Sequence, residues 1–213
     1  MFVSGTSPTR IDRYRRRTQA LVGAALLVSG CAGPAAVSLP DISPWDARRE
    51  FLGNLDTWAF NGRIAVRAED DGFNGKLRYH RADGDFDATV SGPLGIGTVR
   101  LEGRDGVLSF TDKDGLTTEF TEPETELKYR FGWDVPLESL RYWALGIPDP
   151  ARPAETVLND AGQLASMAQG GWDIEVKRYR ETGGEYMPQR LTVTKPGAKL
   201  TLVIDRWDFN DSL

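Results

Sequence analysis

The chain is poor in the side chains that most protein chemistry relies on. Its 213 residues include one cysteine, Cys31, and one histidine, His80. A disulfide framework needs at least two cysteines, and the common structural zinc sites need four Cys or His ligands, so both are excluded. A Ser-His or Cys-His nucleophilic centre would have to be built on His80 alone. Positive charge is also scarce: 26 Lys and Arg against 31 Asp and Glu leave a formal net charge of −5, which gives no general attraction for nucleic acid. The apolar run Ala20 to Val28 has nine residues, well short of the roughly 20 that a membrane-spanning helix requires. What is present, 40% hydrophobic and 27% charged residues, is ordinary for one globular domain with appendages.

The single cysteine closes a pattern at the N-terminus. Arg10, Arg13 and Arg15 to Arg17 precede the apolar run, and Ser29-Gly30-Cys31 follow it. Basic, apolar and small-residue regions in that order read as a secretory signal. Val28-Ser29-Gly30-Cys31 has the order of the bacterial lipoprotein lipobox, in which the cysteine is acylated and the chain is cut before it. Residues 1–30 are therefore expected to be a signal peptide and Cys31 a lipid anchor. Cleavage there removes five arginines and Asp12, which takes the net charge from −5 to −9. Such a domain depends on acyl chains rather than basic patches to hold a membrane, and two lipid signals already anchor stably. Ala32 stands where Asp would mark retention in the inner membrane, which favours the outer membrane. Residues 31–44 read as the acylated Cys and a flexible tether, with Pro34, Pro40 and Pro44 and no amphipathic period. The 13 residues after Cys31 reach at most ~45 Å.

Residues 45–213 read as one domain. Ser43-Pro44 gives an N-cap with Pro at the first helical position, and Trp45, Leu52 and Leu55 line one side of a short helix. From Trp58 the apolar period drops to two. Trp58, Phe60, Ile64 and Val66 share a face, as do Phe73, Leu77 and Tyr79, then Phe86, Ala88 and Val90. The intervening Arg63, Arg67, Lys76, Arg78 and His80 are expected to face solvent. Turns at Asp70-Asp71-Gly72, Asp83-Gly84, Asp105-Gly106 and Asp114-Gly115 separate further alternating runs, which resume at Leu164, Trp172, Leu191 and Leu200. The count is about eleven strands, mostly joined by short turns, so the sheet is expected to be antiparallel and sequentially connected. Only 122–131 and 136–145 carry further helical patterns, and these must cover the apolar face of the sheet. The pattern leaves open whether they leave a cavity or fill a solid core.

One turn is not polar. In Ser91-Gly92-Pro93-Leu94-Gly95-Ile96, Pro93 and the glycines specify a tight reversal with Leu94 at its tip. Beside a bilayer, inserting one Leu would contribute roughly 1.5–3 kcal/mol, enough to bias docking and too little to anchor. Carboxylates are plentiful, but Asp70, Asp71, Asp83, Asp85 and Asp87 fall in turns and on a polar strand face. No phosphate-cradling loop, nucleophile elbow or metal-ligand cluster occurs. The expectation is a non-enzyme with no catalytic residues, no metal and no cofactor.

Taken together, a set of motifs resembles the LolB family of outer-membrane lipoprotein receptors. They are the lipobox, Trp45, Trp58-Ala-Phe-Asn-Gly-Arg-Ile-Ala-Val66, Gly92-Pro93-Leu94-Gly95, Gly132-Trp133-Asp134-Val135-Pro136-Leu137, Leu140-Arg141-Tyr142-Trp143-Ala144-Leu145-Gly146-Ile147-Pro148, Gln169-Gly170-Gly171-Trp172 and Ile204-Asp205-Arg206-Trp207. Tyr79 stands where many members have Trp. The resemblance implies a mostly β fold of the LolA/LolB kind, an eleven-stranded antiparallel half-barrel with a lid of about three short helices. It implies a receptor that takes acylated lipoproteins from a LolA-type periplasmic carrier and inserts them into the outer membrane, without nucleotide hydrolysis. By residue match Pro93, Leu94 and Gly95 form the membrane-insertion loop. Combined with the alternation, it places Phe60, Ile64, Val66, Leu77, Tyr79, Phe86, Val90, Leu140 and Trp143 in the acyl-chain cavity. A periplasm-facing monomer is expected. The competing reading is a membrane-anchored structural or assembly lipoprotein whose sheet binds another protein.

Overall fold

A computed structural model describes residues 44–68, 71–92, 97–131 and 136–209. Its elements run α1 (Pro44–Gly53), β1 (Trp58–Ala68), β2 (Asp71–Ala82), β3 (Asp85–Ser91), β4 (Thr98–Arg104), β5 (Val107–Thr111), β6 (Thr117–Phe120), α2 (Pro123–Phe131), α3 (Leu137–Leu145), β7 (Ala154–Leu158), β8 (Leu164–Gln169), β9 (Trp172–Thr182), β10 (Glu185–Lys195) and β11 (Ala198–Asp208). Asp-Gly pairs close the hairpins for a backbone reason. Asp83 and Gly84 both have positive φ, as do Asp105 and Gly106, and two consecutive positive φ values match a two-residue turn to the right-handed twist of the strands. β2 already includes Asp71 and Gly72, which the sequence pattern placed in a turn.

All eleven strands form one open antiparallel sheet in the order β6-β5-β4-β3-β2-β1-β11-β10-β9-β8-β7. It is two meanders joined in the middle, where the first strand pairs with the last: Phe60 lies opposite Trp207, and Ile64 opposite Leu202. The two outer strands, β6 and β7, are consecutive in the chain apart from the helices. To pass from one edge to the other the chain must cross a face of the sheet, and α2 and α3 make that crossing. Topology thus turns the longest connection into a cover.

That covered face holds the core. Trp58, Phe60, Trp143, Leu164, Met167, Ile174, Met187, Leu191, Ile204 and Trp207 are buried in the main cluster, against which Trp45 and Leu55 pack from the N-terminal side, with Leu52 of α1 fully buried. A second, smaller cluster joins Leu127 of α2 to Leu108, Phe110 and Phe120 of β5 and β6. The opposite face is polar, and Arg63, Arg67, Lys76, Arg78 and His80 are all exposed. Asp85 and Asp87 of that face are engaged by Arg104, at 3.5 and 2.8 Å.

α3 is held by a buried polar clamp. The Gln169 side chain accepts hydrogen bonds from Trp143 Nε1 at 2.7 Å and Asp149 N at 3.0 Å, and donates to the carbonyls of Asp149 and Arg152, both at 2.9 Å. Ser139 Oγ donates to Asp149 Oδ2 at 2.7 Å. Gln169 is 2% exposed, and its amide has two acceptor and two donor positions, all of them filled. The helix stops at Gly146, whose φ of 76° is left-handed and whose Cβ, if present, would sit 2.8 Å from Pro188 Cγ.

Candidate functional site: an apolar cavity with a polar corner

The helices do not fill the space over the sheet. A cavity of about 170 Å³ remains between α2, α3 and six strands, so the core under the lid is not solid. The sheet contributes Trp58, Phe60, Ile64 and Val66 from β1, Phe73, Leu77, Tyr79 and Arg81 from β2, Phe86, Ala88 and Val90 from β3, Leu101 from β4, Leu191 from β10, and Leu200 and Leu202 from β11. The helices contribute Leu127, Leu137, Glu138, Leu140, Arg141 and Ala144. Alternation explains the sheet side, because residues two apart share a face. The floor carries a band of aromatic rings across neighbouring strands. Tyr79 stacks on Trp58 at 4.9 Å and on Phe60 at 5.3 Å, Phe60 meets Trp207 at 5.3 Å, and Phe86 lies 6.0 Å from Tyr79.

Phe60, Ile64, Val66, Leu77, Tyr79, Phe86, Val90 and Leu140 of the expected lining are brought together around this one space. Trp143 is not among them. It is 1% exposed, its indole donates to Gln169, and its ring lies 6.4 Å from Trp172. The reason is helical geometry. Leu137, Leu140, Arg141 and Ala144 form the i, i+3, i+4, i+7 stripe facing the cavity, whereas Ser139 and Trp143 lie on the flank that meets Asp149 and Gln169. Cys31 and the loop residues Pro93, Leu94 and Gly95 lie outside the described residues. The flanks of that loop are described: Gly92 N donates to Gly97 O at 3.0 Å, and Ser91 pairs with Thr98 in the last row of the ladder.

Three polar residues of the lining were not anticipated. Arg81 occupies the same parity of β2 as Leu77 and Tyr79, opposite Trp58 and Phe86, and is only 9% exposed. Arg141 and Glu138 enter from α3, with Arg141 Nε 3.6 Å from Glu138 Oε2. Tyr79 stands at this corner, two residues from Arg81 on the same face of β2. Burial pushes the Tyr79 hydroxyl up to about 12, against the opposing pull of Arg81 and Arg141, so it stays protonated at neutral pH. A charged residue at an apolar position of an alternating strand is the signal that could have marked Arg81 in advance. Among the described residues, no helix is long and apolar enough to cross a membrane.

Comparison with known proteins agrees with this architecture. A family model described as "Outer membrane lipoprotein LolB" matches residues 56–207, more than half of the chain. Curated relatives called outer-membrane lipoprotein LolB include that of Pseudomonas paraeruginosa, 34% identical over 91% of this chain and 96% of its own length. That of Pseudomonas savastanoi is 34% identical over 85% of this chain and 90% of its own. Among solved structures, a DUF1329 family protein from Desulfovibrio piger superposes with a TM-score of 0.50 at 8% identity, over 79% of this chain and 92% of the other, a likeness of fold alone. The matched segment contains nearly the whole sheet and both covering helices, and this chain belongs to the LolB family of outer-membrane lipoproteins.

Proposed function

We propose that this protein is an outer-membrane lipoprotein receptor, which accepts acylated lipoproteins from a LolA-type periplasmic carrier into the cavity and inserts them into the outer membrane. The observation that carries the reading is the unfilled apolar space between lid and sheet in a chain of this family. Water gains little there, because an apolar cavity offers it few partners. Hydrocarbon gains about 0.8 kcal/mol for each CH₂ removed from water, so acyl chains are the cargo that such a wall rewards. Transfer then needs no catalytic group and no nucleotide. A sequence of affinities, from carrier to receptor to bilayer, supplies direction. The chain itself is held by acylated Cys31, as a monomer, with its domain facing the periplasm.

Delivery is assigned to the loop carrying Leu94. One such apolar side chain contributes roughly 1.5–3 kcal/mol on entering lipid, enough to favour a docked state beside a surface to which the protein is already tethered. Leu94→Glu is expected to accept lipoprotein from the carrier and fail to release it into liposomes, in a reconstituted assay with purified carrier. Normal delivery by that variant would remove the loop from the mechanism. The scaffold alternative, in which the sheet serves as a protein-binding surface, calls for a filled core and is not favoured by the hollow one.

A further inference from the structure

Two arginines interrupt the apolar wall, and they do so from opposite sides. Arg81 rises from the sheet and Arg141 descends from the lid, each at a position that the periodicity of its element reserves for an apolar residue. Tyr79 lines the same cavity, and both cations act on its hydroxyl. Among the described residues, no carboxylate lies within ion-pair distance of Arg81, although the residue is only 9% exposed. Arg141 stacks on Tyr142 with its guanidinium carbon 4.3 Å from the ring centre and hydrogen-bonds the Tyr142 hydroxyl, yet its Nε is buried without a hydrogen-bond partner. Glu138 offsets one of the two charges at 3.6 Å and is itself mostly exposed.

A guanidinium has five N–H donors and no acceptor. Facing a plain hydrocarbon occupant, those donors would lose water and gain nothing, at a cost. An occupant with acceptor oxygens at one end of a hydrocarbon chain satisfies them without burying a second charge. We infer that Arg81 and Arg141, with the Tyr79 hydroxyl, form a binding site for the acyl carbonyl oxygens at the polar end of a bound acyl chain. This rests on the acyl-binding reading of the cavity and adds a direction to it. Arg81 lies at one end of β2 and Phe73, eight residues away and paired with Val66, at the other, a separation of about 26 Å along the strand. The carbonyl end sits at Arg81, and the hydrocarbon tail runs along β2 towards Phe73, the end of the sheet where β3 finishes opposite Lys76.

The test compares two probes that differ only in the carbonyl: a short peptide carrying one palmitoyl ester on serine, and the same peptide carrying a hexadecyl ether. Binding is measured by displacement of an environment-sensitive apolar dye from the full chain with Cys31→Ala. The ester is expected to bind about tenfold or more tighter than the ether, the size of a hydrogen bond to a charged group. Arg81→Met and Arg141→Met are expected to lose that preference while retaining affinity for the ether. Equal binding of both probes by the unsubstituted arginines would overturn the inference and leave the cavity reading intact, as would a preference that survives in both variants. If neither probe binds, the cavity reading itself falls and the inference with it. Should Arg81→Met lose the ether as well, the preference of the parent chain and Arg141→Met decide. Competition by a lysophospholipid with the same ester would assign the carbonyls to membrane lipid, and its failure would assign them to lipoprotein.

Discussion

Single residues set the shape of the cavity wall, and Gly103 shows how. A Cβ on Gly103 would stand 2.2 Å from Phe86 Cε1, so the Phe86 ring lies flat over the bare glycine of the neighbouring strand. In that pose the ring both stacks near Tyr79 and lines the cavity. Gly103→Ala must push the ring inward, and overpacking of this kind costs about 1–3 kcal/mol. Urea unfolding should show that loss, and Phe86→Leu in the same chain should recover most of it, since residues in contact are not additive. Full additivity of the two changes would mean that the ring and the glycine are not coupled. None of this was visible in the strand pattern, where Gly103 merely interrupts alternation. Phe86, by contrast, could be assigned to the cavity face from alternation alone. Trp143 lies off the cavity because the apolar stripe of α3 is wider than the surface facing it, and the large ring takes the flank that offers its indole a hydrogen-bond acceptor.

At the scale of elements, local period predicted nearly every strand and both covering helices, because hairpins with Asp-Gly turns carry their register in the sequence. β7 escaped because it shows no alternation: Glu155 to Leu158 are all exposed, Val157 to 60%. An edge strand packed on neither face leaves nothing for a period of two to report. The pairing of β1 with β11 was equally hidden, since the strands are far apart in sequence and no turn links them. That pairing is what brings Leu200 and Leu202 into the cavity. The Gln169 clamp on α3 is likewise non-local, and it supports a direct prediction. Gln169→Leu leaves Trp143 Nε1 and Asp149 N without their acceptor and two carbonyls without their donor. Three of these four bonds are fully buried, and each stranded buried group costs about 1–3 kcal/mol, so a total loss of about 3 kcal/mol or more is expected in denaturant titration. Amide hydrogen exchange in α3 should rise with it. A change below about 1 kcal/mol would mean that water replaces the amide and that the clamp does not secure the helix.

On the scale of the whole domain, the cavity lies along the seam between two cores of unequal strength, with Leu127 and Leu137 on one side and the main cluster on the other. Its 170 Å³ is close to the ~150 Å³ of a dry cavity that admits one benzene, far less than an acyl chain occupies. On the proposed function, cargo enters by moving something. α3 is bolted to β8 and the loop before β7 by the Gln169 clamp and by buried Trp143. Among the described side chains of α2, only Leu127 is buried, an attachment of roughly 1.5–3 kcal/mol that a bound chain can replace by burying its own methylenes. The weaker seam should open, with α2 leaving β5 and β6 while α3 stays. Spin labels at Tyr129→Cys, an exposed site of α2, and Lys76→Cys, on the solvent face of β2, report that motion in the chain with Cys31→Ala. Binding of the palmitoyl peptide is expected to lengthen that distance by about 4 Å or more, the thickness of one hydrocarbon layer at van der Waals contact. A Lys76→Cys, Lys199→Cys pair within the sheet should stay fixed. An unchanged Tyr129 distance with the dye fully displaced would mean that the chains lodge without lifting α2, and the opening would then have to be sought on the side of α3.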